Sequence, residues 1–290
     1  MALAPRAVLV HRRSELDLLL DRHGTRGQAE FFLRSRGRDL ASVQRRHDAL
    51  HEALRLVEAG VPGGWRRASV ERSDLPRLRF DPEDVVVAVG QDGLVANVAK
   101  YVSGQPVIGV DPEPGVNPGV LVRHSASECV ALLPRVASGT ARAESRAMVE
   151  AVLDDGQSLR ALNELYIGDA GHQSARYRLH EERQSSSGIL IGTGTGSTGW
   201  CASLARERAG APELPGRLDD SLIWFVREAW PSPVTGTTRT QGLLRPGESL
   251  PVVAEGDLVV FGDGLEADRL HLTWGQQIEV RVAGPRLALV

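Results

Sequence analysis

Cysteine is almost missing from this chain. Cys129 and Cys201 are too few for a disulfide framework, so a reducing, cytoplasmic setting is expected. Neither thiol is assigned a role, because a free cysteine is ordinarily small buried filler. An excess of basic charge is missing too. Lys plus Arg number 34 against 37 Asp plus Glu, which excludes the electrostatic footprint of a nucleic-acid binder. Arginine is preferred to lysine, a trait of solvated surface rather than of mechanism. No apolar run reaches the roughly 18 residues of a membrane span, so no membrane partner is expected. The opening stretch, MALAPRAVLVHRRSELDLLL, holds no apolar run of signal-peptide form.

What is present suffices for a full core. A chain of 290 residues, 42% of them hydrophobic, is expected to form two lobes: residues 1–126 as an α/β lobe and 127–290 as a β-rich lobe. In the first, Ala7–His11 reads as a strand, and Ser14 with Asp17 three residues on as a helix start. Leu40–Val57 is an amphipathic helix, with Val43, His47, Leu50, Leu54 and Val57 at three- and four-residue steps. Between them, Arg22, Arg26, Arg34, Arg36 and Arg38 form either a phosphate-facing patch or a solvated face. Trp65–Val70 suits a strand and Asp74–Arg79 a short helical connection.

The stretch Gly90–Tyr101, GQDGLVANVAKY, is the pivot. It follows the valine run 85–89, a buried parallel strand, and continues into a helix. Strand, glycine turn, acid, helix is the order that brings backbone N–H groups and a carboxylate to a phosphate at a strand's carboxyl end. Gly90 and Gly93 permit close approach, and Asp92 supplies a proton acceptor or metal ligand. An Asp-Gly pair alone is equally a surface turn. A second strand, Pro106–Val110, ends at Asp111 and leads into the loop DPEPGVNPG. Alternating strands and helices indicate a doubly wound α/β lobe, with Asp92 and Asp111 on one rim.

In the second half, Glu128–Arg135 either continues the first lobe as a helix or crosses into the next. Arg142–Leu153 is a strand or mixed segment before a hairpin turn at Asp154-Asp155-Gly156. Asn163 and Glu164 interrupt an apolar run; they face either a ligand, with Glu164 on vicinal hydroxyls, or a fixed backbone network. Arg176–Leu179, Ser187–Ile191, Leu250–Ala254, Leu258–Phe261, His271–Trp274 and Ile278–Val282 are strand candidates for an antiparallel lobe. Gly192–Gly199, GTGTGSTG, lets backbone approach an anion or sugar and offers the hydroxyls of Thr195, Ser197 and Thr198. No lysine follows, so it is not a P-loop. Trp224, Phe225 and Trp230 are expected in the core or at an interface. Asp263-Gly264 reads as a turn. His47 and His51 stand one helical turn apart as HDALH, with Asp48 where a zinc protease motif carries Glu. No third ligand is evident nearby, so the pair is read as a packed or solvent-edge helix face and no metal site is assigned.

The order GQDG, PVIGVD, ALNELYIG, SSGILIGTGTGSTGW and a late Asp-Gly resembles the ATP-NAD kinase family. It is most similar to the mitochondrial-type branch, through HGTRGQAEFFLRSRG and RRHDALHEAL. The resemblance implies an α/β lobe followed by an antiparallel β-rich lobe, a dinucleotide ligand in the cleft, and a homodimer. It implies that Asp92 activates the adenosine-ribose 2'-hydroxyl, and that Asn163 and Glu164 hold NAD by its ribose and nicotinamide portions. Gly90, Gln91, Gly93 and Leu94 fall around the phosphate side, and Asp111 beside the substrate pocket. Thr193, Thr195, Gly196, Ser197 and Thr198 fall in the small-residue loop around the substrate. The implied activity is ATP- and Mg²⁺-dependent phosphorylation of NAD or a related nucleotide-like alcohol. The turn departs from the family's Gly-Gly-Asp-Gly-Thr at Gln91 and Leu94, and Asp111 replaces an Asn. Those changes leave two other readings open: an enzyme that holds NADP(H) as a redox cofactor, and a non-catalytic dinucleotide sensor.

Overall fold

The computed structural model describes residues 4–116 and 119–290, so Asn117 and Pro118 of the DPEPGVNPG loop lie outside the described residues. Contacts divide the chain into two units: one runs to Ala143 and takes back Ala288–Val290, and the other is Glu144–Leu287.

The first unit holds β1 (Arg6–His11), α1 (Glu15–His23), α2 (Arg26–Arg34), α3 (Leu40–Gly60), β2 (Arg66–Glu71), β3 (Asp84–Val89), α4 (Asp92–Ala99), β4 (Pro106–Val110) and α5 (Ala126–Ala137). The second holds β5 (Glu144–Arg146), β6 (Val149–Leu153), β7 (Ser158–Ala161), β8 (Glu164–Gly168), β9 (Ala175–Leu179), β10 (Glu182–Ser186), β11 (Ile189–Thr193), α6 (Trp200–Arg206), β12 (Leu222–Val226), β13 (Gln241–Leu244), β14 (Ser249–Ala254), β15 (Leu258–Gly262), β16 (Leu265–Leu272) and β17 (Gln277–Val282). The chain ends in β18 (Leu287–Leu289).

In the first unit the strands run parallel in the order β2-β1-β3-β4-β18, with Ala288 and Leu289 beside Pro106 and Val107. Every residue of β3 is buried, as a strand covered on both faces must be, and valines supply that apolar surface at good strand propensity. Leu9, Val85 and Val87 share a core with Ala53 and Val57 of α3 and Cys129 and Leu133 of α5. Helix α5 therefore belongs to this unit. Ser14 and Asp17 form a reciprocal capping box that starts α1, and Ser125 and Glu128 do the same for α5. Leu16 and Leu19 of α1 join Ala29, Leu33, Leu40 and Val43 in a second, smaller core. The connection after β2 is a 3-10 turn, Arg72–Arg77.

The second unit is built from two antiparallel sheets, β10-β9-β14-β17-β6-β7 and β13-β12-β11-β8-β15-β16. One core draws Val149, Ala151, Tyr177 and Val252 from the first sheet and Leu165, Ile167, Ile191 and Val260 from the second. Strands of the first sheet alternate buried and exposed residues, as in β9. Strands β11 and β12 are buried throughout, because α6 covers their other face with Cys201 and Leu204 against Leu190, Ile223 and Phe225.

One expectation is corrected here. The strand expected at His271–Trp274 is the end of β16, which stops at Leu272; Gly275, at φ +86°, then turns the chain. Of the three aromatics expected in the core or at an interface, Trp224 and Phe225 are buried in β12, and Trp230 stands on the surface, 69% exposed.

Candidate active site

At the carboxyl end of β3 the chain turns through Gly90 and Gln91 and enters α4 at Asp92. The Gly90 N–H donates to the Val110 carbonyl of β4, which sets this turn beside Asp111. Asp92 does not point idly to solvent. Its Oδ2 accepts the Val120 N–H at 2.7 Å, and its Oδ1 accepts those of Leu121 and Val122, both at 2.9 Å. Three N–H donors fix the carboxylate's orientation, and an ionised carboxylate has about four acceptor positions, so Oδ2 keeps capacity for a hydroxyl. Glycines permit the close approach. A Cβ on Gly119 would lie 2.4 Å from Asp92 Oδ1, and one on Gly109 would lie 2.1 Å from the Leu121 carbonyl oxygen.

Gly90, Gln91, Asp92, Asp111, Pro112, Glu113, Gly119 and Val122 line a cavity of about 330 Å³. Asp111 Oδ1 accepts the Glu113 N–H at 2.9 Å, which turns the loop over this cavity. Gln91 is exposed and caps α4 without a side-chain hydrogen bond. Gly93 lies exposed in the first turn of α4, where a Cβ would meet nothing within 4 Å. Leu94 is fully buried, with its side chain against Gly90, and so packs the turn from below.

The second unit pins Asn163 and Glu164 by the same device. Asp263 Oδ2 accepts the Leu162 N–H at 2.9 Å, and Oδ1 accepts those of Asn163 at 2.7 Å and Glu164 at 3.4 Å. From the other side, Thr193 donates its N–H to the Asn163 carbonyl and its hydroxyl to the Leu162 carbonyl. Gly196 lies so close that a Cβ would sit 2.2 Å from the Asn163 carbonyl oxygen. Glu164 begins β8 opposite Gly192. Burial first, and the negative Asp263 second, raise its carboxyl to about 7. Near neutral pH the carboxyl is therefore available both as a hydrogen-bond acceptor and as a donor.

The hydroxyls of the small-residue loop divide by use. Thr193 is consumed in holding Leu162 and in accepting the N–H groups of Thr195 and Gly196. The single Ser197 hydroxyl proton is shared between two carbonyls, Gly194 within the loop at 3.0 Å and Pro215 outside it at 2.8 Å. Thr195 Oγ1 is buried with no hydrogen-bond partner, the mark of a group awaiting one, and Thr198 is exposed. The arginines of the α1–α2 region are paired on the surface instead: Arg34 with Glu30, Arg38 with Glu15, Arg26 with Gln44, and Arg36 over the Phe32 ring.

Sequence reasoning missed Asp263 and the 120–122 segment. The Asp263-Gly264 pair was legible only as a turn and as the last member of the motif order, with nothing to announce three backbone donors; the 120–122 segment carries no signal.

No protein-family model matches the chain. Among curated proteins it is similar to the NAD kinase of Methylococcus capsulatus, 29% identical over 235 residues, covering 75% of this chain and 77% of that protein. The NAD kinase of Chlorobaculum tepidum is 31% identical over 147 residues, and that of Geobacter metallireducens 27% over 167. In those two the match spans about half of the relative's length, 49% and 54%. Among solved structures, yeast NADH kinase in complex with NADH superposes with a TM-score of 0.60 at 13% identity, over 99% of this chain and 83% of that one. The α/β lobe with an antiparallel β-rich lobe is thus the NAD kinase-like fold. The chain is a distant homologue of the NAD kinases in general.

Proposed function

We propose that this distant homologue of the NAD kinases transfers the γ-phosphoryl group of ATP to the adenosine-ribose 2'-hydroxyl of NAD, or to the like hydroxyl of a related nucleotide. The observation that carries the reading is Asp92: a carboxylate at a strand tip, oriented by three backbone N–H groups, with one oxygen still able to accept and a cavity beside it. Asp92 takes the hydroxyl's proton as its oxygen bonds to the γ-phosphorus, the bond to the bridging oxygen breaks, and ADP leaves. Asn163 and Glu164 hold the dinucleotide's polar groups, and Thr195 and Thr198 add hydroxyl contacts. Asp111 and Glu113, oxygen donors in the Asp92 cavity, fit the side chains that keep Mg²⁺ beside substrate phosphates. The ion supplies neutralisation of phosphate charge when bound.

The sequence branch that HGTRGQAEFFLRSRG resembles, a cytoplasmic location and a homodimer belong to the same proposal. Formation of NADP from NAD, ATP and Mg²⁺ by the purified protein tests it. Asp92→Asn is expected to lower kcat by ~10²–10⁴-fold. Absence of product from NAD, NADH and free nucleosides alike would sink it.

A second reading follows from Gln91. Its exposed side chain stands at the cavity where the family has glycine, which favours a site that retains NADP(H) as a redox cofactor and has lost ATP. NADP(H) co-purifying with the protein, together with no ATP binding, would select this reading over the kinase. Dinucleotide binding with neither activity would select a sensor.

A further inference from the structure

Away from both clusters, helices α1 and α3 bring three metal-ligating side chains together. His47 and His51 occupy successive turns of α3, so their rings share one face, with centroids 4.2 Å apart. Asp17, in the first turn of α1, faces them: its Oδ1 lies 3.7 Å from His47 Nδ1. One ligand atom from each of the three residues lies within 4.8 Å of the others. The HDALH spacing is visible in the sequence, but its third member is 30 residues upstream and arrives only through the packing of α1 on α3. Asp48 plays no part, since it accepts instead from Gln44.

Asp17 is also oriented for such a role. Its Oδ2 accepts the Ser14 N–H and hydroxyl, each at 2.8 Å, which completes the capping box and turns Oδ1 towards the histidines. Hydrogen bonds that fix a ligating carboxylate are what a metal site requires around its ligands. The Ser14 hydroxyl also lies 2.7 Å from His47 Nδ1, so it can release the imidazole and keep Asp17.

We propose that Asp17, His47 and His51 bind one divalent transition-metal ion of the zinc class, which clamps α1 to α3. Two imidazoles and one carboxylate suit that class, whereas magnesium and calcium prefer oxygen donors throughout. Ligands about 2.1 Å from a tetrahedral zinc stand about 3.4 Å from one another, so side-chain rotations close the observed spacing without moving either helix. His51 is exposed, and water takes the remaining position. The cluster carries one negative and no obligatory positive charge, which favours the cation further.

The test is titration of the metal-stripped, untagged full-length protein with Zn²⁺ by calorimetry and with Co²⁺ by visible absorption. Saturation at one ion per chain is expected, with intense d–d bands of a low-coordinate site and a higher Tm in Zn²⁺. His51→Ala removes an exposed ligand that belongs to neither buried core; it is expected to weaken binding at least ~10-fold and abolish the Tm increase. His47→Ala and Asp17→Asn should act in the same direction, while the exposed His172→Ala should bind as the parent does. No saturable binding, or equal binding by parent and His51→Ala, would overturn the proposal.

Discussion

At the scale of residues, two aspartates in Asp-Gly pairs do the same physical work. Each carboxylate collects three successive backbone N–H groups, 120–122 for Asp92 and 162–164 for Asp263. Amide groups turned towards one point need an acceptor, and an ionised carboxylate is the strongest available. Asp263→Asn should therefore cost about 1.5–3 kcal/mol of stability, read from chemical denaturation, and weaken dinucleotide binding by loosening Asn163. Glu164 tests the electrostatics of the same turn. Its carboxyl is raised from 4.5 to about 7, so the folded protein keeps a proton that the unfolded chain releases. The stabilising effect of that proton is complete below pH 4.5 and lost as pH rises through 7. A rise of that size corresponds to about 3 kcal/mol. Glu164→Gln is therefore expected to be the more stable protein at pH 8, by up to that amount, and to match the parent near pH 4 in denaturation curves. The two thiols make a simpler case: burial pushes both Cys129 and Cys201 up to about 12. Neither should react with a thiol reagent at pH 8 until the protein unfolds.

At the scale of elements, legibility followed the range of the forces involved. The valines of β3, the Ser14–Asp17 start of α1 and the periodic face of α3 were readable because local spacing and burial coincide there. Strand β10, ERQSS, was not: it is an edge strand, mostly polar, made a strand by pairing with β9 rather than by its composition. Asn163, Glu164 and the Gly192–Gly199 loop were legible as an anomaly, polar or glycine-rich residues inside apolar sequence. What holds them was hidden, since Asp263 lies about 100 residues away and Gly196 matters only where Asn163 passes it. Close backbone approach also makes a prediction. Gly109→Ala would put a methyl 2.1 Å from the Leu121 carbonyl oxygen and push away the segment that orients Asp92. A loss of about 1–3 kcal/mol is expected from thermal unfolding, together with a fall in kcat greater than any change in dinucleotide affinity.

At the scale of the whole molecule, each unit has its own core, and the chain's last strand returns to the first sheet beside β4. That return sets strands far apart in sequence side by side in the parallel sheet, and no local pattern in the terminal LAL announced it. The two-lobe order was readable because parallel strands demand apolar runs and antiparallel ones alternate. The departures Gln91 and Leu94 were equally plain, but only the fold separates them: Leu94 is packing, and Gln91 faces the cavity. The proposed activity thus rests on the chemistry at Asp92. The decisive measurement is mass-detected conversion of NAD to NADP by the parent protein with ATP and Mg²⁺, run beside Asp92→Asn. Turnover by the parent, reduced ~10²–10⁴-fold in the variant while dinucleotide binding persists, is the expected result. Equal turnover by the two proteins, or none by the parent with every nucleotide acceptor offered, would contradict it.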